Sequence, residues 1–251
     1  MLYVPRYPPL AYPAGRAPGF DPTHLASAGG VAISVIAANS VNFIDLLNGT
    51  SGTVTVGNQT FTSSMNGFLG PCVTQSATAS GTGITTFRGG IVGTPTSFTL
   101  AAFFSLSSVS NFSGLIGTTT STTVRGNALF CQTTNLRLLT LNGTTNSTLT
   151  IAANIPYFAA VSEAGAIANF VLVNLSNGNM QTASVSNFNS NGTGNGTITI
   201  GNIYNNNSPI DGFNGSISAA MYSYAGLSVS SLLQWAQRPW DFWYPRTGVA
   251  T

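Results

Sequence analysis

Charged side chains are the scarcest feature of this 251-residue chain, because Asp, Glu, Lys and Arg together make up 5% of it. Ordinary soluble domains have roughly 25%. There is no lysine, all seven basic residues are arginine, and the net charge is +2 without any basic run. Binding to a nucleic-acid backbone requires clustered Lys and Arg, so we expect no nucleic-acid partner.

Acidic residues and histidine are also too few for the usual catalytic groups. Glu163 is the only glutamate, and no two of the acidic residues lie within twenty positions of each other. Glycoside hydrolysis needs two carboxylates that face one bond. A Ser-His-Asp triad would have to use His24, which lies in a Pro-rich segment. No nucleophile elbow, Walker loop or dinucleotide fingerprint occurs. We therefore predict that the protein is not an enzyme.

Cysteines and long apolar runs are scarce as well. Cys72 and Cys131 are the only cysteines, which is too few for a disulfide framework. We expect two reduced, buried thiols, with a disulfide or a metal site as the alternatives. No stretch approaches the roughly 18 apolar residues of a membrane span, and Met1–Pro9 has no apolar signal region. The sequence therefore predicts no membrane partner.

The residues that are abundant, Thr, Ser, Asn and Gly, favour strands and turns. Ser97–Leu106 is the clearest strand, with Phe98, Leu100, Ala102, Phe104 and Leu106 on one face. Phe103 lies on the other face, so both faces should be covered, as in a two-sheet sandwich. Turn signals at Asn177-Gly178 and Asn142-Gly143 predict two hairpins with type I′ turns. Further strands are predicted at Val31–Val35, Thr53–Val56, Met65–Leu69, Ile84–Phe87, Leu115–Gly117, Asn127–Gln132, Leu136–Leu141, Thr148–Ala152, Tyr157–Val161 and Ile167–Leu175.

One helix is predicted, at Val229–Gln237. Its apolar residues fall at the spacing of a single helical face: Val229, Leu232, Leu233 and Ala236. Ser228 can cap its first turn, and Pro239 ends it.

The first 28 residues form a separate segment in which six prolines alternate with tyrosine and arginine. Proline fixes φ and removes backbone donors, so the segment should be an extended arm. The alternative is a tail without a binding role. The side chains expected to bind a partner surface are Tyr3, Pro5, Arg6, Tyr7, Tyr12 and Arg16.

The last quarter of the chain carries a family resemblance. Strand Thr197–Gly201 is followed by a polar loop, then Asp211-Gly-Phe-Asn-Gly-Ser-Ile, the helix, and the tail Arg238-Pro-Trp-Asp-Phe-Trp-Tyr-Pro. This order resembles the end of the concanavalin A-like jelly roll in its laminin-G-type form. Its Pro-Trp-Asp-Phe ending resembles copies found in tailed-phage virion proteins. Ile155–Gln181 resembles the family's central strand pair, with Tyr157 near its usual Trp; Ser231 replaces the usual capping Glu.

The resemblance covers about residues 31–245 and implies an all-β, concanavalin A-like two-sheet jelly-roll sandwich with one short C-terminal helix. The expected domains are the arm (1–28), the jelly roll (29–245) and a tail (246–251). No cofactor is expected. Members of this family often bind Ca²⁺, and Asp211 is the one weak candidate for a metal ligand here. The alternative is that Asp211 only forms a turn before Gly212. Trp240, Trp243 and Tyr244 form either a glycan or interface patch or a plug that closes the fold.

The function that the resemblance implies is structural. We expect a phage virion protein, a capsid decoration or head-fibre protein assembled in the bacterial cytoplasm. Its arm would bind the major capsid protein or another virion protein, and the jelly roll would form a homo-oligomer. The alternative is a tail-fibre or tailspike receptor-binding module that recognises a host surface glycan. The same fold supports both functions, so the fold alone does not decide between them.

Overall fold

The alternating sequence pattern forms strands through most of the described chain. The computed structural model describes residues 31–37, 43–45, 52–54, 59–62, 72–75, 85–88, 97–109, 112–118, 126–140, 143–186, 197–202 and 213–237. Within them are one helix, α1 (Val229–Gln237), and sixteen strands: β1 (Val31–Ala37), β2 (Phe43–Asp45), β3 (Thr53–Val54), β4 (Gln59–Thr62), β5 (Cys72–Gln75), β6 (Thr85–Arg88), β7 (Ser97–Leu106), β8 (Phe112–Gly117), β9 (Ala128–Gln132), β10 (Asn135–Thr140), β11 (Gly143–Thr150), β12 (Pro156–Ala164), β13 (Ile167–Asn174), β14 (Met180–Ser186), β15 (Thr197–Ile200) and β16 (Gly215–Ser223).

The described strands form two antiparallel sheets, which confirms the predicted sandwich. The large sheet has the order β14-β13-β12-β7-β16-β1-β2, and β5 also pairs with β16 while β4 pairs with β5. The small sheet has the order β11-β10-β9-β8-β15-β6-β3. Several strands that are adjacent in sequence lie in opposite sheets, as β7 and β8 do. The chain therefore crosses repeatedly between the two layers and encloses a core between them.

The core between the sheets contains the predicted face of β7. Phe98, Leu100, Ala102, Phe104 and Leu106 are all buried in it. Leu129, Leu136 and Leu138 of the small sheet belong to the same apolar cluster. The Phe104 ring lies 6.4 Å from the Phe213 ring in an edge-to-face arrangement. Because these side chains are removed from water on both sheets, the two layers stabilise each other.

The opposite face of β7 is also buried, in an apolar cluster that includes residues of helix α1, which packs on the neighbouring strands β12 and β13. Phe103 lies 4.9 Å from Phe158 on β12, measured between ring centroids. Leu232 and Ala236 of α1 are buried in the same cluster. The sequence correctly predicts that both faces of β7 are covered. The small sheet covers the Phe104 face, as the predicted two-sheet sandwich requires.

Helix α1 begins at Val229 and is capped by Ser228, as predicted. The Ser231 N–H donates to Ser228 Oγ at 3.2 Å, and the two hydroxyl oxygens are 3.0 Å apart. Ser231 therefore takes part in the cap through its short hydroxyl where a glutamate would reach the N-cap backbone. No acidic residue lies in the first turn and no basic residue lies in the last. The helix depends on its cap and on its apolar face, since charge contributes nothing to it.

The predicted hairpins form, but the turn of the β13–β14 hairpin differs from the expectation. In the β13–β14 hairpin only Gly178 has a positive φ, +75°, so the turn at Asn177 is not type I′. Its closing bonds run from Asn174 N to Asn179 O and from Gly178 N to Asn174 O, both 2.8 Å. The longer loop places Gly178 alone in the left-handed region. The β10–β11 hairpin closes at the pair Thr140–Gly143.

Most predicted strands are confirmed, and four short or polar ones are missed. Strands β2, β4, β5 and β14 have no clear apolar alternation in sequence, and β14 is Met-Gln-Thr-Ala-Ser-Val-Ser. They form because neighbouring strands offer an edge to pair with, which is a tertiary effect. The predicted strand at Met65–Leu69 lies outside the described residues. Among the described residues, no helix is long and apolar enough to cross a membrane.

Both cysteines are buried, and neither is in a disulfide. Cys131 belongs to the core between the sheets, and Cys72 belongs to the cluster under α1. The large sheet separates these two clusters, so a disulfide between the cysteines would require the sheet to open. Burial raises the pKa of the Cys131 thiol well above its ordinary value. The thiol is therefore kept from ionising as well as from pairing.

The packing of α1 gives a first prediction. We expect Leu232→Ala to lower the free energy of unfolding by about 2–5 kcal/mol, because a buried side chain is lost and a cavity remains. Urea unfolding measures the change. Ser230→Ala, at an exposed position of the same helix, is the control and should change it by about 0.5 kcal/mol or less. A loss below about 1 kcal/mol for Leu232→Ala would show that α1 is not part of the core.

The core also predicts how stability changes with alkaline pH. Burial raises the pKa of Tyr222 from its ordinary value of 10.0, Tyr224 raises it further, and a hydrogen bond with Asn127 partly opposes the shift. Since the pKa is higher in the folded state, the stabilisation is complete below pH about 10 and is lost as pH rises above it. We expect Tyr222→Phe to reduce this loss by about 1.4 kcal/mol per pH unit.

Urea unfolding at a series of pH values from 8 to 11 tests this expectation. Burial also raises the pKa of the Cys131 thiol, from its ordinary value of 9.0. Cys131→Ala should therefore reduce the alkaline loss of stability as well, beginning about one pH unit lower than Tyr222→Phe does. If the stability curves of the wild type and Tyr222→Phe run parallel above pH 10, the Tyr222 phenol does not contribute.

Candidate functional site

The residues singled out in the sequence for binding all lie outside the described part of the chain. This holds for the arm residues, for the aromatic patch and for the metal candidate: Tyr3, Pro5, Arg6, Tyr7, Tyr12, Arg16, Trp240, Trp243, Tyr244 and Asp211. It also holds for His24. The roles of these residues stay predictions. The structure describes only the strands and the helix that come before or after them in the sequence.

The described residues on either side of the segment that carries Asp211 are hydrogen-bonded to each other. Gly201 follows β15 with a φ of +77°. Its N–H donates to Leu115 O at 3.1 Å, and its carbonyl accepts from Phe213 N at 2.9 Å. Gly201 and Phe213, which flank the segment 203–212, are therefore joined by a direct backbone hydrogen bond. This anchoring explains why a glycine and a buried phenylalanine flank the segment in sequence.

A buried amide, Gln75, lies beside Gly201. The Gln75 side chain is 2% exposed, and within the described residues neither its Oε1 nor its Nε2 has a hydrogen-bond partner. A methyl group added to Gly201 would overlap this amide. Leaving a buried polar group unpaired costs roughly 1–3 kcal/mol. The amide therefore offers an acceptor and two donors where the segment 203–212 is anchored, and nothing in the sequence distinguishes Gln75 from the other polar strand residues.

Glu163 lies near the end of β12, where a substrate cannot reach its side chain. It is 1% exposed and pairs with Phe98 on one side and Ala168 on the other. A side chain added at Gly226 would overlap its carbonyl, so the chain packs tightly there. In the described part of the chain, no three His, Cys, Asp or Glu side chains come together as a metal site requires. The only glutamate is thus a buried core residue.

Aromatic side chains also lie on the outer face of the small sheet. The rings of Phe112 and Phe130 stack at 6.0 Å with an interplanar angle of 15°. Phe130, Leu139 and Ala128 are buried, and Phe112 is half-buried. Sugar-binding platforms need an accessible ring face. The Phe130 ring does not provide one, so this pair stabilises the sheet and does not form an open site.

Comparison with known proteins places the fold but no family. No family model and no curated protein matches this chain. Tailspike protein 2 of Escherichia coli O157:H7 bacteriophage CAB120 has a similar structure, with TM-score 0.51 and 14% identity over 72% of this chain and 26% of that one. Botulinum neurotoxin type C, whose cell entry depends on interaction with two ganglioside molecules, gives 0.54 and 11% over 81% and 50%. Trypanosoma rangeli sialidase gives 0.56 and 12% over 84% and 33%.

These likenesses show a shared β-sandwich fold. This chain spans half or less of the length of each of the three proteins. The fold is therefore one module of those larger chains, and the activity of the whole proteins does not follow from it.

The contact between Gly201 and Gln75 gives a prediction. Gly165 has a similar φ, +69°, but no atom near an added methyl group. Gly165→Ala should therefore lower the free energy of unfolding by only about 1–2 kcal/mol, the cost of placing a residue with a Cβ in the left-handed backbone conformation. Gly201→Ala should cost about 2–4 kcal/mol, because overlap with the buried amide is added.

A double-mutant cycle tests this assignment by urea unfolding. In a Gln75→Ala background, Gly201→Ala should cost no more than Gly165→Ala does. An unchanged cost in that background would mean that the amide and Gly201 are not in contact.

Proposed function

We propose that this protein is a structural component of a tailed-phage particle, a capsid decoration or head-fibre protein that belongs to the concanavalin A-like, laminin-G-type jelly rolls. The observation that carries the proposal is the absence of charge among the exposed residues of β11 and β14, which are Thr, Asn, Ser and Met. A surface without charge lacks the usual barrier to dense packing, and a shell component packs densely against its neighbours.

The arm is the proposed attachment. Its prolines stiffen the backbone before binding, so docking loses less conformational entropy than a flexible tail would lose. Tyr3, Tyr7 and Tyr12 supply large contact surfaces, while Arg6 and Arg16 supply donors for carbonyls or carboxylates of the major capsid protein or another virion protein. Because only two of these side chains are charged, binding should depend weakly on salt concentration.

The remaining parts of the proposal follow from the scarcity of reactive groups. We propose no catalytic role, since Glu163 is buried and the other acidic residues are far apart in sequence. We propose no bound cofactor, with Asp211 acting as a turn residue. Assembly in the bacterial cytoplasm would keep Cys72 and Cys131 reduced, as their burial as free thiols also favours.

The second candidate is a tail receptor-binding module for a host surface glycan. One specific observation favours it: the similar structures include a phage tailspike and a toxin whose entry depends on gangliosides. In this case the aromatic patch Trp240, Trp243 and Tyr244 would be the sugar platform. A glycan array separates the candidates, because a decoration protein should bind none of the glycans above background.

The arm gives the prediction that tests the first candidate. Deleting residues 1–28 should leave a folded protein that no longer joins particles, because the arm holds the contact. Quantitative mass spectrometry of purified particles measures the copy number. The wild type should be present in hundreds of copies if it decorates the shell, and in a few to dozens if it belongs to the tail.

Deletion of residues 246–251 is the matched control, since it shortens the other end of the chain and should leave the copy number unchanged. Circular dichroism should give the same β spectrum for all three proteins. If the protein without residues 1–28 still reaches full copy number, the sandwich holds the contact and the arm does not.

A further inference from the structure

Among the described residues, strand β14 is a long, regular edge of the large sheet, and no further described strand forms a ladder with it. It is seven residues long and last in the strand order. Its pairing with β13 runs without interruption from Ile167–Ser186 to Val173–Met180. It contains no proline and no charged residue. Such an edge is a template for pairing with another strand.

The other edges of the described sheets carry the protection that β14 lacks. On the same side of the sandwich, β11 has a register shift against β10, and Ser147 Oγ donates to Leu136 O within the irregularity. Bulges of this kind prevent continuous pairing. On the far side, the described edge strands β2, β3 and β4 are three, two and four residues long. Short edge strands are another common protection, so β14 is the exception.

The hydrogen-bond pattern identifies which backbone groups β14 presents to a partner. Asn174 N donates to Asn179 O, so Asn174 turns its backbone groups toward the returning strand. In an antiparallel pair this orientation alternates along the strand. On β13, the backbone groups that hydrogen-bond to β14 therefore belong to Leu172, Phe170 and Ala168. Their partners on β14 are Gln181, Ala183 and Val185. The N–H and C=O groups that point to the open side belong to Met180, Thr182, Ser184 and Ser186.

We propose that β14 pairs with β14 of a second copy of this chain, antiparallel, with Ala183 on the two-fold axis. Thr182 then lies opposite Ser184 of the second copy, and Met180 lies opposite its Ser186. All four of these residues have backbone groups on the open side, so the pairing satisfies them. Opposite residues also point to the same face of the sheet, as a continuous sheet across both copies requires.

The side chains explain why the occupant is a second copy. Ile167 and Met180 are the exposed large hydrophobic residues of the described chain, at 45% and 41%. Ile167 pairs with Ser186 within one copy. The two-fold arrangement therefore places three side chains in one row across the sheet: Met180 of the first copy, then Ser186 and Ile167 of the second copy. The row spans two strand spacings, about 10 Å. The Met180 side chain can therefore cover Ser186 and contact Ile167, at both ends of the interface.

Charge and side-chain size favour the same occupant. Residue pairs across the axis are Ala with Ala and Thr with Ser, which allow close approach. An uncharged strand meets its own copy without like-charge repulsion, whereas a charged partner strand would gain nothing from it. An edge contact of this kind is smaller than a standard stable interface of roughly 1,200–2,000 Å², so we expect a weak, concentration-dependent dimer. The inference does not depend on the proposed function.

Sedimentation of the full-length chain over a range of concentrations tests the proposal, with Thr182→Pro as the disrupting variant. The proline removes an N–H that points to the open side and leaves the bonds to β13 intact. Self-association should weaken by at least roughly tenfold, because the change occurs twice in each dimer. Circular dichroism and the melting temperature verify that the variant is folded.

Cross-linking gives a second readout that does not require a disruptive change. Ala183→Cys brings two thiols together on the axis, at a Cα separation of about 4.5 Å that suits a disulfide. Mild oxidation should produce a covalent dimer. Thr148→Cys, an exposed position on β11, is the matched control and should remain monomeric on a denaturing gel.

The outcomes separate this interface from the others. Dimerisation that is lost in Thr182→Pro and trapped by Ala183→Cys supports the pairing. If Thr182→Pro does not fold, specific cross-linking of Ala183→Cys decides alone. A monomer at every concentration, a dimer that Thr182→Pro leaves intact, or equal cross-linking at positions 183 and 148 overturns the proposal.

Discussion

The burial of both faces of β7 is the constraint on which the rest of the described structure depends. One face packs against the small sheet through Phe104 and its neighbours, and Phe103 on the other face belongs to the apolar cluster that also contains Leu232 and Ala236 of α1. A ten-residue strand buried on both sides must lie in the middle of its sheet, with β12 and β16 as neighbours. Those strands inherit the same two-sided burial, and α1 adds a third layer where it packs on β12 and β13.

The scarcity of charge determines how this fold meets its surroundings. A sandwich normally keeps its copies apart with Lys and Glu on exposed faces and edges. Here the exposed residues of β11 are Thr and Asn, those of β14 are Met, Thr and Ser, and β14 has an edge without protection. Stability does not suffer, because exposed ion pairs contribute little. The lack of charge instead lowers the repulsion between neighbouring copies, and a protein that assembles into a dense particle would benefit from that.

The described polar groups restrict the chemistry further. Glu163 is confined to the core, and Gln75 lies beside Gly201 with its amide unpaired within the described residues. The first arrangement removes the only glutamate from reach of a substrate. The second provides a buried polar group next to Gly201, two residues before the segment 203–212 in the sequence. Similar structures belong to a tailspike, a neurotoxin and a sialidase, so the sandwich serves as a module whose role its loops and extensions decide.

Local patterns in the sequence were sufficient for β7, for α1 with its Ser228 cap and for the two-sheet class, because periodic apolar residues and caps act over a few neighbours. Three features came from the tertiary structure alone. They are the pairing of Tyr157 with Phe104 in adjacent strands, the position of the Gln75 amide beside Gly201, and the strand at Met180–Ser186. Each depends on residues far apart in the chain. A polar strand such as β14 forms because β13 offers its backbone groups, and its own composition carries no sign of that partner.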